Sequence, residues 1–138
     1  MKRTEAREEA FKLLYSLQLM KEEKIEEQIE LYVNQNEITD QEAIKYINDI
    51  ITGTNKENEN LEKMISENIK TEWDINRISK IDLTLLKLGI YEIVYSKLPY
   101  KVVINEVVEL SKKYGDDNSK SFVNGVLASV VKKSGIEG

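Results

Sequence analysis

Apolar residues recur through most of this chain at intervals of three and four, the spacing that gathers them on one face of a helix. Ala6, Ala10, Leu13, Leu14 and Leu17 form the first such face, in a helix predicted from about Thr4 to Lys21. Ile25, Ile29, Tyr32 and Val33 predict a second helix over about 25–36. ITDQEA opens a third, where Thr39 or Asp40 can cap and Glu42 favours the first turn. That helix continues through Ile44, Ile47, Ile50 and Ile51 to about Thr54, and Leu61, Met64, Ile65 and Ile69 predict a fourth over about 57–70.

TEWDIN reads as a joint, with Asp74 or Asn76 able to cap the next helix and Trp73 expected to fill the gap between helices. From about Ile78 to Ser96 the pattern is apolar around most of the circumference: Ile78, Ile81, Leu85, Leu86, Leu88, Ile90, Ile93, Val94. A helix of that kind is central, with neighbours on several sides. Pro99 stops it and suits the first turn of a sixth helix, about 100–114, which buries Val103, Ile104, Val107, Val108 and Leu110. Gly115 ends that helix, Asp117 or Asn118 caps the seventh, and the seventh runs to about Ser134 on Phe122, Val123, Val126, Leu127 and Val130. No strand pattern interrupts the series. The prediction is one all-α, seven-helix domain over residues 1–138, made of two sub-bundles, about 1–56 and 57–138, that share the central fifth helix.

Composition narrows the chemistry mainly by what is missing. With no His and no Cys, Ser-His and Cys-His catalysis, zinc sites of the usual kind and Glu-x-x-His di-iron sites are excluded. No Gly-rich phosphate loop follows a strand. The chain therefore predicts no catalytic residues, no metal and no cofactor, and it does not read as an enzyme. No apolar run reaches the length of a membrane span, and Glu5, Glu8 and Glu9 stand where a secretory signal would be apolar. The cytoplasm is the expected address.

The net charge of −5 argues against nucleic acid, but it is unevenly spread. Residues 1–21 carry five positive and three negative charges, residues 22–72 five and fourteen, residues 73–138 ten and eight. The acid is concentrated in the middle, so a basic footprint can still form from the two ends. In the first helix, at about 100° per residue, Arg3, Arg7 and Gln18 lie along one edge of the apolar arc with Phe11 and Tyr15 beside them. Glu5, Glu8, Glu9 and Lys12 point elsewhere.

Three further stretches stand out: KLPYKVVINEVVELSKKYG, SKSFVNGVLASVVKK and LLKLGIYEIVYS. Gly125 inside a helix costs about 1 kcal/mol relative to Ala, which close approach of another helix would offset. Glu92 among apolar neighbours predicts a structural pairing or a bond to a helix end rather than catalysis.

With AREEAFKLLYSLQ near the start, IDLTLLKLGIYEI in the middle, and LPYKVVINEVVELSKKYG followed by SKSFVNGVL, the chain resembles the NusB family of bacterial transcription antitermination factors. The resemblance covers essentially the whole length and is weakest over residues 22–72. It implies a non-catalytic, RNA-binding, all-helical adaptor. Such a protein pairs with NusE, a small-subunit ribosomal protein, on boxA elements of ribosomal RNA transcripts. It then joins other Nus factors on RNA polymerase to suppress termination. NusB relatives occur as monomers or homodimers.

Carried over by position, the resemblance implies Lys2, Arg3, Arg7, Tyr15 and Gln18 as RNA contacts, with Asn118, Ser119, Lys120 and Phe122 from the turn before the last helix. It implies Asp82 and, more weakly, Arg77 as NusE contacts. Arginine and lysine neutralise phosphates, helix N-termini offer N–H groups, and aromatics stack on unpaired bases. Thr4 and Glu5 interrupt the arginine run common in the family, so binding by the protein alone is expected to be weaker and less salt-dependent. Two other readings compete. One is a protein-binding helical module without RNA contact. The other is the NusB-like segment of a ribosomal RNA cytosine methyltransferase, which would need a cofactor domain and a catalytic cysteine.

Overall fold

The structure is a computed structural model that describes residues 1–20, 24–70 and 74–136. Among these residues the chain forms seven α-helices and no strand. They are α1 Arg3–Met20, α2 Ile25–Gln35, α3 Gln41–Lys56, α4 Asn58–Glu67, α5 Lys80–Ile90, α6 Tyr100–Tyr114 and α7 Ser119–Lys133. The predicted end of the first helix at Lys21 and the role expected of Trp73 lie outside the described residues. Two compact units divide the chain, Met1–Lys56 and Glu57–Gly138.

In the first unit both α1 and α2 pack on α3. α1 turns Ala6, Ala10, Phe11, Leu13 and Leu14 inward, and its two alanines leave room for a close neighbour. Leu17 is only half-buried. α2 buries Ile29 and Val33, with Tyr32 half-buried and its hydroxyl bonded to Glu9. Its end is a Schellman turn: the Glu37 N–H reaches the Asn34 carbonyl, the Ile38 N–H reaches that of Val33, and Glu37 takes a left-handed φ of 53°. The buried Ile38 then returns the chain to the core. Asp40 caps α3, accepting from the Glu42 and Ala43 N–H groups at 3.0 and 3.3 Å, and also meets the Met1 amine at 2.6 Å. α3 buries Ala43, Tyr46, Ile47, Ile50, Ile51 and Thr54.

In the second unit α5 packs on α4, α6 and α7, and α6 packs on α7. Asp74 caps a short 3₁₀ turn, Ile75–Arg77, by accepting from the Asn76 N–H at 2.9 Å. Ser79 caps α5 by accepting from the Asp82 N–H at 3.1 Å. Every residue from Asp82 to Ile90 is buried, as a central helix requires. The helical pattern predicted to Ser96 is present but changes pitch: Tyr91–Tyr95 forms a π-helical turn. Leu98 then closes on the Glu92 carbonyl, with Lys97 left-handed at φ 54° just before Pro99. Glu92 is fully buried in this turn. Lys87, also buried, donates to Asn58 at 2.8 Å and Glu62 at 3.0 Å on α4.

Two local expectations are corrected. Gly125 is exposed, and a Cβ there would meet nothing within 4 Å among the described residues, so close approach of a helix does not explain it. Gly89 is where helices come close: a Cβ on it would stand 3.0 Å from both Leu127 methyls. At the last turn neither Asp117 nor Asn118 caps. Asp116 does so instead, accepting from the Asn118 and Ser119 N–H groups at 2.8 and 3.1 Å.

Candidate nucleic-acid and partner surfaces

The first candidate group lies in the Met1–Lys56 unit, along α1. Lys2 and Arg3 are exposed. The Arg3 guanidinium sits 4.2 Å from the centroid of the Tyr46 ring, and that of Arg7 sits 5.8 Å from the same centroid. Both distances are within the reach of a cation–π contact. Arg7 is only 3% exposed, so its place in the fold is beneath the surface rather than on it. One turn further, Tyr15 stacks on Phe11 with ring centroids 6.3 Å apart, and both Tyr15 and Gln18 are half-buried. The edge predicted from the sequence thus exists, but Arg3 and Lys2 supply its exposed charge and Arg7 does not.

The second group lies in the other unit, at the α6–α7 turn. Asn118 and Lys120 are exposed and Phe122 is half-buried. Ser119 is 1% exposed, and its hydroxyl accepts from the Asp116 N–H at 3.0 Å. Gly115 fits here because a Cβ would collide with that hydroxyl. The N–H groups of Asn118 and Ser119, expected to be open to an anion, are spent on Asp116. This turn presents Asn118 and Lys120 to solvent beside two exposed acids, Asp116 and Asp117.

Of the partner candidates, Arg77 is exposed on the 3₁₀ turn. Asp82 is 8% exposed, and one of its carboxylate oxygens, Oδ1, has no hydrogen-bond partner among the described residues. Burial pushes the Asp82 carboxyl above the usual carboxylate range, and the charge of Asp116 adds to the shift, while bonds from Ser119 and Ser79 oppose it. The resemblance implies Asp82 as a partner contact and Ser119 as an RNA contact. The structure joins them in a single cluster with Asp116.

Tyr46 is the residue that sequence reasoning missed. Its signal was present: Ala43, Tyr46, Ile47, Ile50 and Thr54 follow the same three-and-four spacing as any buried face, and all five are buried.

An open groove of about 590 Å³ in the second unit is lined by Ile93, Val94, Leu98, Pro99, Tyr100 and Ile136, with Lys97 its one charged side chain among the described residues. Among the described residues no three acidic side chains are placed to hold a metal, and no helix is long and apolar enough to cross a membrane.

Comparison with known proteins gives the family and the fold. The model of the NusB family matches residues 4–132. The transcription antitermination protein NusB of Clostridium novyi (strain NT) is 44% identical over 135 residues, 96% of this chain and 99% of that one. That of Clostridium acetobutylicum is 42% identical, covering 97% and 98%. Among solved structures, T. maritima NusB superposes with a TM-score of 0.87 at 30% identity, over 96% of this chain and 92% of that one. A chain from the complex of antitermination factors NusB and NusE with dsRNA gives 0.85 at 28%, over 96% and 99%.

Proposed function

The chain belongs to the NusB family, and from that premise we propose that it is a non-catalytic RNA-binding adaptor. With NusE it binds boxA-type elements of ribosomal RNA transcripts. With other Nus factors on RNA polymerase it promotes antitermination in the cytoplasm. The observation that carries the reading is the extent of the likeness: relatives named as antitermination proteins match nearly the whole chain at over 40% identity. The relative solved with NusE and dsRNA supports the choice of partners.

Within this reading Lys2, Arg3 and Lys120 supply exposed cations for phosphates. Tyr15 and Phe122 offer partly open rings to unpaired bases, and Gln18 and Asn118 offer amides. Arg7 and Ser119 act from beneath the surface. Arg77 and Asp82 face NusE. Lys2 and Arg3 precede the span matched by the family, so their part rests on charge and exposure.

One observation favours a helical module that binds protein without RNA: the basic edge is thin, with Arg7 buried and the α7 N–H groups capped by Asp116. Transcription of a boxA-bearing ribosomal leader through a terminator separates the two readings. With polymerase, NusE and the remaining Nus factors supplied, adding this protein is expected to raise readthrough, and deleting boxA is expected to abolish the gain. Readthrough that ignores boxA would favour the protein-only module.

A further inference from the structure

We infer that Tyr46 is a positioning residue for RNA binding, holding the Arg3 guanidinium in a fixed place at the protein surface; this rests on the RNA-binding reading above. Tyr46 belongs to α3, not to the helix that carries the candidate contacts, and it is 7% exposed. A ring so buried is itself fixed by its packing. Arg3 lies 4.2 Å from its centroid and remains exposed. Arg7, one turn along α1, lies 5.8 Å away and is buried.

The chemistry of the seat matters. A carboxylate at this place would also hold a guanidinium, but it would neutralise the charge and occupy the N–H donors. An aromatic ring attracts the cation through its face and leaves both the charge and the in-plane donors available. Those donors form the fork that suits a phosphate. A free arginine at a helix start samples many rotamers and loses that freedom on binding. Arg3 against Tyr46 has lost part of it before RNA arrives. Preorganisation of this kind raises affinity without adding a contact. It also gives Arg7 a role consistent with its burial: a second cation beside the same ring, completing the seat from beneath.

The test uses the full chain with NusE and a labelled boxA-type RNA, read by fluorescence anisotropy across a salt series. Tyr46→Phe keeps the ring and is expected to bind within about twofold of wild type. Tyr46→Leu is expected to weaken binding by roughly three- to tenfold and to flatten the salt slope by about one phosphate contact. In an Arg3→Gln background Tyr46→Leu is expected to add markedly less than it costs alone, because most of its effect acts through that exposed arginine rather than the buried Arg7. Arg3→Gln alone changes an exposed side chain, so its own loss of slope can be read even where Tyr46→Leu unfolds. The Arg3 side-chain protons provide a signature independent of RNA: an upfield ring-current shift, kept in Tyr46→Phe.

A folded Tyr46→Leu protein that binds with unchanged affinity and slope would overturn the inference, while wild-type binding left the parent reading intact. So would an Arg3→Gln protein with the wild-type slope, or an Arg3 without the ring-current shift. A wild-type complex that binds no RNA would overturn the parent reading and this inference together.

Discussion

Asp82 is a carboxylate that is 8% exposed, with one oxygen unbonded among the described residues, an arrangement that disfavours its charged form. Desolvation raises its folded-state pKa, with Asp116 adding to the shift. The sign of the consequence is set by linkage. The folded protein holds this proton more tightly than the unfolded chain, so the contribution to stability is fully present below the ordinary carboxylate value. It is lost as the pH rises through the higher folded value. Asp82→Asn removes the titration. The variant is expected to melt a few degrees above wild type at pH 7, with the gap closing as the pH falls toward about 4. Thermal melts across that range check it, and a lower melting temperature for Asp82→Asn at pH 7 would contradict it. The same variant is expected to bind NusE less well, which separates a stability effect from a partner effect.

Residue type and side could be read at this scale, but depth could not. The position of Arg3 and Arg7 on one edge of α1 was legible, but the burial of Arg7 was not, since it depends on Tyr46 in another helix. Ser119 likewise reads as an exposed polar residue until the turn around Gly115 closes on it.

At the scale of the helix, periodicity carried most of the information, because each amphipathic face has one way to be buried. The seven helices appear where their apolar spacing places them, with ends shifted by a few residues. Two kinds of feature escaped. Capping by Asp116 rather than its neighbours depends on loop geometry, and three adjacent candidates, Asp116, Asp117 and Asn118, offer the same chemistry. The π turn at Tyr91–Tyr95 leaves the apolar pattern unchanged and so gives no sign in the sequence.

Glycine shows why a helical residue cannot be assigned by type alone. Gly125 and Gly89 both sit inside helices, yet only Gly89 is in close contact, with the fully buried Leu127. Gly125→Ala is expected to stabilise the protein by about 1 kcal/mol, the difference in helix propensity. Gly89→Ala gains the same propensity but forces a methyl against both Leu127 methyls. Such overpacking costs about 1–3 kcal/mol, so the net change is expected to be destabilising. Urea denaturation of the two variants gives the comparison. A stabilised Gly89→Ala would mean that Leu127 yields readily, and a destabilised Gly125→Ala would contradict the open space around that position.

For the molecule as a whole, the charge pattern bears on function more than the net value does. An excess of acid over residues 22–72 outweighs mildly basic ends. The candidate contacts lie in those ends, one group in each unit. Only Lys2, Arg3 and Lys120 are exposed cations among the candidate RNA contacts, which implies modest affinity and a shallow salt dependence for the protein alone, and a larger share of the binding carried by its partner. Fold class followed from pattern and composition. Function did not, because no side-chain constellation in this chain performs chemistry by itself. It became legible through motif resemblance spread over most of the chain, and the comparisons bear that resemblance out.

The most direct test is anisotropy of a labelled boxA-type RNA with this protein, with NusE, and with both together, over a salt series. The account predicts weak binding by either protein, binding at least about tenfold tighter by the pair, and a slope that falls when Arg3 or Lys120 is reversed to glutamate. A tight complex with NusE that shows no preference for boxA over unrelated RNA would contradict it.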